Sequence, residues 1–370
     1  MNMVSNKNMT RGKRVTPSLR HIYFYLTEGC NLACRHCWLS PKVDQKGSSH
    51  PILSIELFET AIREAKPLGL TGIKLTGGEP LLHPQISKLL EIVRREDLSL
   101  TIETNGMLCT PQIAREIAKS PKRFVSVSLD GADAATHDLV RGFHGSFKKA
   151  FQAVQNLAAV NINPQIIMSI MRCNIDQVEP MVRLAENLMA SSVKFNVVQP
   201  TGRGETIHNA YDQLKVPELI ELGRYVDTNL EAETKLGLFF DYPLAFRPLS
   251  RISNGDGCKV CSILGILGVI PSGHYSLCGI GKQKPEFVFG KVGENDLAKI
   301  WHENAMLQTL RTGLPNRLDG VCSQCLMKHI CLGSCVAQNY YRTGSLWAPF
   351  WFCEKAEATG LFPTTRLGIK

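Results

Sequence analysis

No stretch of this 370-residue chain is apolar for anything near the roughly 20 residues that a membrane-spanning helix needs. The longest candidate, Ile263–Ile270, carries two glycines and stops at Pro271. The N-terminus holds Lys7, Arg11, Lys13 and Arg14 with no apolar segment behind them, so a secretory signal is not expected and the protein reads as cytoplasmic. Long Lys/Arg runs and interleaved aromatic stripes are also missing. The net charge of +9 therefore reads as a solvated basic surface, with nucleic acid disfavoured as a partner and no membrane partner expected. Apolar content of 44% excludes disorder across the chain and permits a sizeable core.

Cysteine is abundant: thirteen residues, of which eleven fall into two groups. Cys30, Cys34 and Cys37 form a C-x3-C-x2-C pattern in "EGCNLACRHCW". Cys258, Cys261, Cys278, Cys322, Cys325, Cys331, Cys335 and Cys353 follow near the other end, and Cys109 and Cys173 stand apart. In a reducing compartment such groups bind metal or do chemistry rather than form disulfides. Spacing alone leaves an incomplete zinc site or an iron–sulfur centre open for the first group, and a two-zinc module or iron–sulfur clusters for the second.

From His21 on, short strand patterns alternate with helical ones. "IYFYLT", "GIKLTGG", "LSLTIETNG", "RFVSVSLDG", "PQIIMSIMR" and "SVKFNVVQP" read as strands. Helices follow, among them one N-capped by Ser54 and one with Pro111 at its start. Six β-then-α units predict an α/β fold with a parallel sheet, as an open partial (β/α)6 barrel, with a doubly wound sheet as the competing architecture. We divide the chain into a basic tail (1–19), the barrel (20–215), a bridging helix and strand (216–256), a Cys-rich domain (257–355) and a C-terminal tail (356–370). The shift in composition between Tyr242 and Gly257 marks the boundary before the Cys-rich part. The distinctive short sequences all sit just past strand C-termini, where β/α barrels place their sites.

C-x3-C-x2-C directly after the first strand, followed in order by "TGGEP", "ETNG", "SLDG", "HDLVRGFHGSF" and "QPTGRGE", resembles the radical S-adenosylmethionine (radical SAM) superfamily. The resemblance implies that Cys30, Cys34 and Cys37 hold three irons of a [4Fe–4S] cluster. The fourth iron is chelated by S-adenosylmethionine, which is cleaved reductively to a 5′-deoxyadenosyl radical. It places His36 near the adenine, Gly77, Gly78, Glu79 and Pro80 at the methionine moiety, Asn105, Ser128 and Asp130 at ribose or carboxylate oxygens, and Arg141 at the carboxylate. Ordinary structural roles for these polar residues, such as Glu79 capping a helix, stay open beside these.

The second cysteine group, with "GHYSLC" and "LGSC", resembles the SPASM domain. By that resemblance Cys258, Cys261, Cys278 and Cys335 hold one auxiliary [4Fe–4S] cluster and Cys322, Cys325, Cys331 and Cys353 a second, making three clusters in all. The short Cys258-x2-Cys261 step leaves open whether both ligate the first auxiliary cluster.

The expected function is oxidative modification of a ribosomally made peptide, such as a thioether or carbon–carbon cross-link, by an oxygen-sensitive oxidoreductase. An electron donor such as flavodoxin or ferredoxin would serve it, and a separate carrier protein could recognise the peptide, because about 20 residues before the first strand are too few for a leader-recognition domain. Alternatives are a formylglycine-forming sulfatase maturase, a small-molecule enzyme acting on a tetrapyrrole, and a non-enzymatic iron–sulfur scaffold. Sulfatase maturases carry an Asp just after the Cys of G-x4-C, where this chain has Gly279. Asp241 is a candidate base in its stead, and Cys109 and Cys173 are candidate hydrogen donors; each also has a plain structural reading.

Overall fold

Side chains along the strands alternate in character, and the alternation sets the architecture. In β1 (His21–Tyr25) Ile22 and Phe24 are fully buried, with Tyr23 half-buried between them. The pattern recurs in β2 (Gly72–Thr76), β3 (Ser99–Thr104), β4 (Arg123–Ser128), β5 (Gln165–Ile170) and β6 (Ser192–Val197). Ile73 and Leu75, Leu100 and Ile102, Val125 and Val127, Ile166 and Met168, and Val193 and Phe195 together form one buried apolar face. Successive side chains point to opposite faces of a strand. Lys74, Glu103, Ser169, Lys194 and Asn196 therefore share the other face, which lines a cavity.

A computed structural model describes residues 16–43, 50–210, 212–253, 261–280 and 284–368. β1 to β6 pair in parallel and in chain order. The crossovers are α1 (Ile55–Ala65), α2 (Ile86–Arg95), α3 (Pro111–Ala118), the pair α4 (Ala134–Arg141) and α5 (Ser146–Ala158), and α6 (Val178–Asn187). Ser54 caps α1 as the sequence implies, its Oγ accepting from Leu57 N at 3.3 Å; Thr110 and Asp133 likewise cap α3 and α4, accepting from Ile113 N at 3.3 Å and Thr136 N at 2.8 Å. α1 presents Ile55, Phe58, Ala61, Ile62 and Ala65 to the sheet at helical spacing, and the Phe58 ring lies 4.3 Å from that of Phe24.

The sheet runs on past the six expected units. After β6 come α7 (Arg203–Asn209) and α8 (Val216–Thr228), then β7 (Gly237–Phe240), which pairs in parallel with β6. β8 (Ile266–Val269), from the Cys-rich region, pairs in parallel with the other side of β1, and β9 (His274–Ser276) and β10 (Val288–Lys291) continue antiparallel. The result is one ten-stranded sheet in the order β10-β9-β8-β1-β2-β3-β4-β5-β6-β7, with β10 and β7 at its edges. The two halves of the sequence thus share a single sheet.

α9 (Leu249–Ser253) precedes β8. After β10 come α10 (Leu297–Glu303), α11 (Ala305–Gly313), α12 (Gly320–Gln324), α13 (Lys328–Cys331), α14 (Val336–Thr343) and α15 (Trp351–Ala358). Side-chain hydrogen bonds, among them three donated by aromatic residues, tie this region to the rest of the chain. Trp301 donates to the Pro17 carbonyl at 2.8 Å, Tyr275 to Glu64 at 2.7 Å, and Trp351 to Gln199 Oε1 at 3.0 Å.

Below the strand ends Asn174 is fully buried and bonded throughout. Its Nδ2 donates to the carbonyls of Asp130 (2.8 Å) and Ser169 (3.0 Å), and its Oδ1 accepts from Met171 N (2.7 Å). Asn174→Ala strands two carbonyls and one N–H in an apolar setting, so it should lower stability by about 3 kcal/mol, measured as a drop in the urea midpoint without a change in slope.

Candidate active site

The cysteine loop that follows β1 has almost no regular structure, and its backbone is held from three sides. From one side, Gly78 N donates to Thr27 O at 3.0 Å and Glu79 N to Gly29 O at 3.1 Å. The approach leaves no room for a side chain: a β-carbon on Gly78 would lie 1.8 Å from Gly29 O. From a second side, the end of α4 receives Ala33 N on Arg141 O (3.2 Å) and Arg35 N on Val140 O (3.0 Å). From the third, the turn "PTGRGE" brings Arg203 N to Cys37 O (3.0 Å) and Arg203 Nε to Cys34 O (2.7 Å). Gly202 adopts φ +57, and a β-carbon there would meet Trp38 O at 2.5 Å. Arg203 and Gly202 are site-shaping residues that the family motif contained but that residue-level reading did not single out.

Behind the loop lies a buried charge cluster. Arg141 Nε is 2.8 Å from Asp130 Oδ2, His36 Nε2 is 3.7 Å from the same oxygen, and Arg141 Nη1 is 3.5 Å from Cys34 Sγ. Burial pushes the Asp130 carboxyl up, but Arg141 above all holds it below its ordinary value, so it is ionised. Burial drives His36 down to about 4, which leaves its ring neutral. The Asn105 side chain reaches Asn31 Oδ1 at 2.7 Å and lies 3.8 Å from Cys30 Sγ. Glu79 is buried and committed to protein donors, Leu81 N (3.1 Å), Thr104 Oγ1 (2.7 Å) and Asn105 N (2.8 Å), which makes it a cap and a brace for the end of β3. Ser128 closes β4 half-buried, and Pro80 is buried.

The later cysteines converge in two sets. The thiols acting on Cys335 are Cys261 and Cys278. Those acting on Cys353 are Cys322, Cys331 and Cys325, because α12 packs on α15. Cys258 lies outside the described residues. Between Cys331 and Cys335 the chain turns through Leu332, Gly333 and Ser334, all with positive φ, and Asn339 Nδ2 fixes the turn through Gly333 O at 3.0 Å. Cys322, Cys325, Cys331 and Cys353 line a small cavity of their own. Among the described residues no three His, Cys, Asp or Glu side chains crowd closely enough to share a single ion. Thiols grouped around a space suit a polynuclear centre, which takes its ligands at separate corners. Burial pushes the Cys30, Cys261 and Cys331 thiols up to about 12 and so favours their protonated forms; as thiolate ligands they would need a neighbouring positive charge.

A cavity of roughly 370 Å³ joins the two regions. His36 and Trp38 of the cysteine loop lie on its wall together with Cys261, Cys278 and Cys335, and Tyr23, Lys74, Glu103 and Lys194 come from the inward face of the sheet. Asp241 lines it too, 4.0 Å from Lys194. Neither Cys109 nor Cys173 does: Cys109 is buried in the main core, and Cys173 packs on a cluster of Val140, Met171, Val198 and Ile207. The inward charges Lys74 and Glu103 escaped residue-level reading, although the alternation K-L-T and T-I-E that exposes them is present in the sequence. Gly279 N donates to Tyr25 Oη at 2.6 Å, and a β-carbon at Gly279 would stand 2.4 Å from the Tyr25 ring.

Residues 24–185 match the model of the radical SAM superfamily, and residues 258–326 match the SPASM iron–sulfur cluster-binding domain. The chain has a radical SAM domain followed by a SPASM domain. It is 28% identical to an AdoMet-dependent heme synthase of Methanosarcina barkeri, over 89% of this chain and 95% of that protein. It is 27% identical to the mycofactocin maturase MftC of Mycobacterium tuberculosis, over 85% of this chain and 78% of that protein. The crystal structure of Streptococcus suis SuiB bound to precursor peptide SuiA has the same fold, with a TM-score of 0.69 at 18% identity over 92% of this chain and 76% of that chain.

The buried site carries a pH signature. Asp130 N donates to His137 Nδ1 at 3.1 Å, and burial, then Arg141, lowers His137 from 6.5 to about 4. Unfolded chains bind this proton first, so the contribution is complete above pH 6.5 and is lost as pH falls toward 4, on the order of 3 kcal/mol in total. Urea titrations of His137→Asn across that window should show a shallower acid-side loss than the wild type.

Proposed function

We propose that this radical SAM–SPASM enzyme oxidatively modifies a side chain of a peptide or protein held in the cavity between the cysteine loop and the thiols of Cys261, Cys278 and Cys335. The observation that carries the reading is that one cavity touches both sites. Its wall offers hydrogen-bonding groups (Ser169, Asn196, Gln199) beside rings (Tyr23, Trp38), a surface suited to a polypeptide backbone and one side chain. The likeness to a mycofactocin maturase supports it.

Cys30, Cys34 and Cys37 would hold a [4Fe–4S] cluster completed by S-adenosylmethionine, and together these groups would supply hydrogen-atom abstraction at the substrate. The chain's own residues supply position. The three-sided clamp fixes the backbone of the loop, whose His36 and Trp38 lie on the cavity wall. We assign Asn105, Ser128, Asp130 and Arg141, at the ends of β3, β4 and α4, to hold S-adenosylmethionine, and the Gly77–Gly78 turn lets the end of β2 pack directly on the backbone of Gly29. Neutral His36 gives a flat face at the pocket wall. Cys261, Cys278 and Cys335, with Cys258, would hold one auxiliary cluster, and Cys322, Cys325, Cys331 and Cys353 the other; such clusters would supply an outlet for one electron. An external one-electron carrier and a peptide carrier belong to this reading as partners, and the cytoplasm is its setting.

A second reading has a specific support: the likeness to a heme synthase extends over 95% of that protein. In that case the cavity takes a tetrapyrrole side chain. Anaerobic incubation separates the two, since a short peptide encoded beside the gene should lose about two hydrogens in mass on the first reading, whereas an unchanged peptide together with a lighter porphyrin establishes the second.

Anaerobically reconstituted protein should carry about twelve irons per chain; about four irons with bound zinc would overturn the auxiliary assignment. Replacing Cys30, Cys34 and Cys37 together by Ala should abolish reductive release of 5′-deoxyadenosine, and continued release would refute their role.

A further inference from the structure

We propose that Arg247 binds a carboxylate of the substrate, so that the cavity selects a peptide carrying an acidic group close to the side chain that is modified. This rests on the reading that the cavity takes a peptide.

The side-chain charges on the cavity wall do not balance. Among the described residues three basic side chains line it, Lys74, Lys194 and Arg247, against two carboxylates, Glu103 and Asp241. Lys74 Nζ is 2.5 Å from Glu103 Oε1, and Lys194 Nζ is 4.0 Å from Asp241 Oδ1. Both carboxylates are thus engaged by lysines. The buried carboxylate of α8, Asp227, is engaged as well: it accepts from Tyr242 Oη at 2.5 Å and from Arg251 Nη1 at 2.6 Å. Arg247 is left without an ion-pair partner among the described residues, although it is only 3% exposed. Its guanidinium donates one hydrogen bond, from Nη2 to Phe240 O at 2.6 Å, and lies 5.7 Å from the centre of the Tyr242 ring.

Arginine is seldom buried unless paired, because taking an ionic charge out of water without a counter-charge is costly. A guanidinium offers five N–H donors in a planar fork that matches a carboxylate with two parallel bonds. One bond to a carbonyl leaves most of that capacity for a group entering the cavity. The main chain that carries Arg247 is fixed beforehand. After β7 it turns tightly, with Phe246 N on Pro243 O at 2.9 Å and Arg247 N on Leu244 O at 3.2 Å. Arg366 braces the turn from the C-terminal segment, its Nη2 donating to Arg247 O at 3.0 Å and its Nε to Ala245 O at 3.3 Å. A charge held on such a turn binds with little ordering left to do.

The test is calorimetric titration of full-length, anaerobically reconstituted protein with acetyl-Ala-Glu-Ala-amide, its Gln counterpart, and mesoporphyrin as a carboxylate-bearing porphyrin. The wild type should bind the Glu peptide at least about tenfold more tightly than the Gln peptide. Arg247→Gln, which can still donate to Phe240 O, should bind the two peptides alike, and Arg247→Lys should keep part of the preference. Iron content and the electron paramagnetic resonance spectrum should match the wild type in both variants. Equal binding of the two peptides by the wild type overturns the proposal and leaves the peptide reading standing. A preference that survives in Arg247→Gln overturns it, as does an equal weakening of both peptides, which a purely structural bond to Phe240 O would give. A changed cluster spectrum with the preference intact makes Arg247 a counter-ion of a cluster and overturns it too. Binding of neither peptide overturns the peptide reading and this inference with it, and mesoporphyrin binding that is lost in Arg247→Gln then moves the carboxylate contact to the tetrapyrrole reading.

Discussion

A loop that carries three thiols but little secondary structure must have its backbone satisfied by its neighbours, and this requirement organises the barrel mouth. Buried carbonyls and N–H groups left without partners cost as much as lost hydrogen bonds. Gly29, Ala33, Cys34, Arg35 and Cys37 bond to three segments: Gly29 to the turn after β2, Ala33 and Arg35 to the end of α4, and Cys34 and Cys37 to Arg203 at the start of α7. The two closest approaches, at Gly78 and Gly202, admit no β-carbon. What looks in sequence like a string of ligand motifs is also the scaffold of the loop itself. Arg203 shows the double duty best, since its main chain and its side chain hold two different cysteine carbonyls.

The second organising feature is the polar inward face of a parallel sheet. Parallel strands covered on both faces read as continuous apolar runs; here they alternate, because one face packs on helices and the other surrounds a cavity. Charges placed on that inward face pair across strands, Lys74 with Glu103 and Lys194 with Asp241.

The six strands, their helices and the cysteine groups were legible because each signal is local: periodicity, a capping residue, a fixed cysteine spacing. Strand pairing across the chain is not local. That β8 would join β1 from more than two hundred residues away, and β7 extend β6, depends on surfaces that only the fold brings together. Among site residues the cysteines were legible by chemistry, whereas Glu79 shows the limit. Its carboxylate is spent on Leu81 N, Thr104 and Asn105, a set of donors assembled from two separate strand ends. Cys109 shows another: its position after β3 said nothing of the direction its thiol takes, which is into the core.

The packing of Tyr25 against Gly279 has an evolutionary consequence. The phenol ring occupies the volume that any larger residue after Cys278 would require, and the hydroxyl accepts the N–H of that same position. A descendant that acquired an acidic group there would first have to shrink or rotate the ring, yet shrinking the ring alone strands a buried amide and opens a void. Each single step is unfavourable on its own, so a lineage with this pairing reaches that alternative chemistry only by changing both positions together.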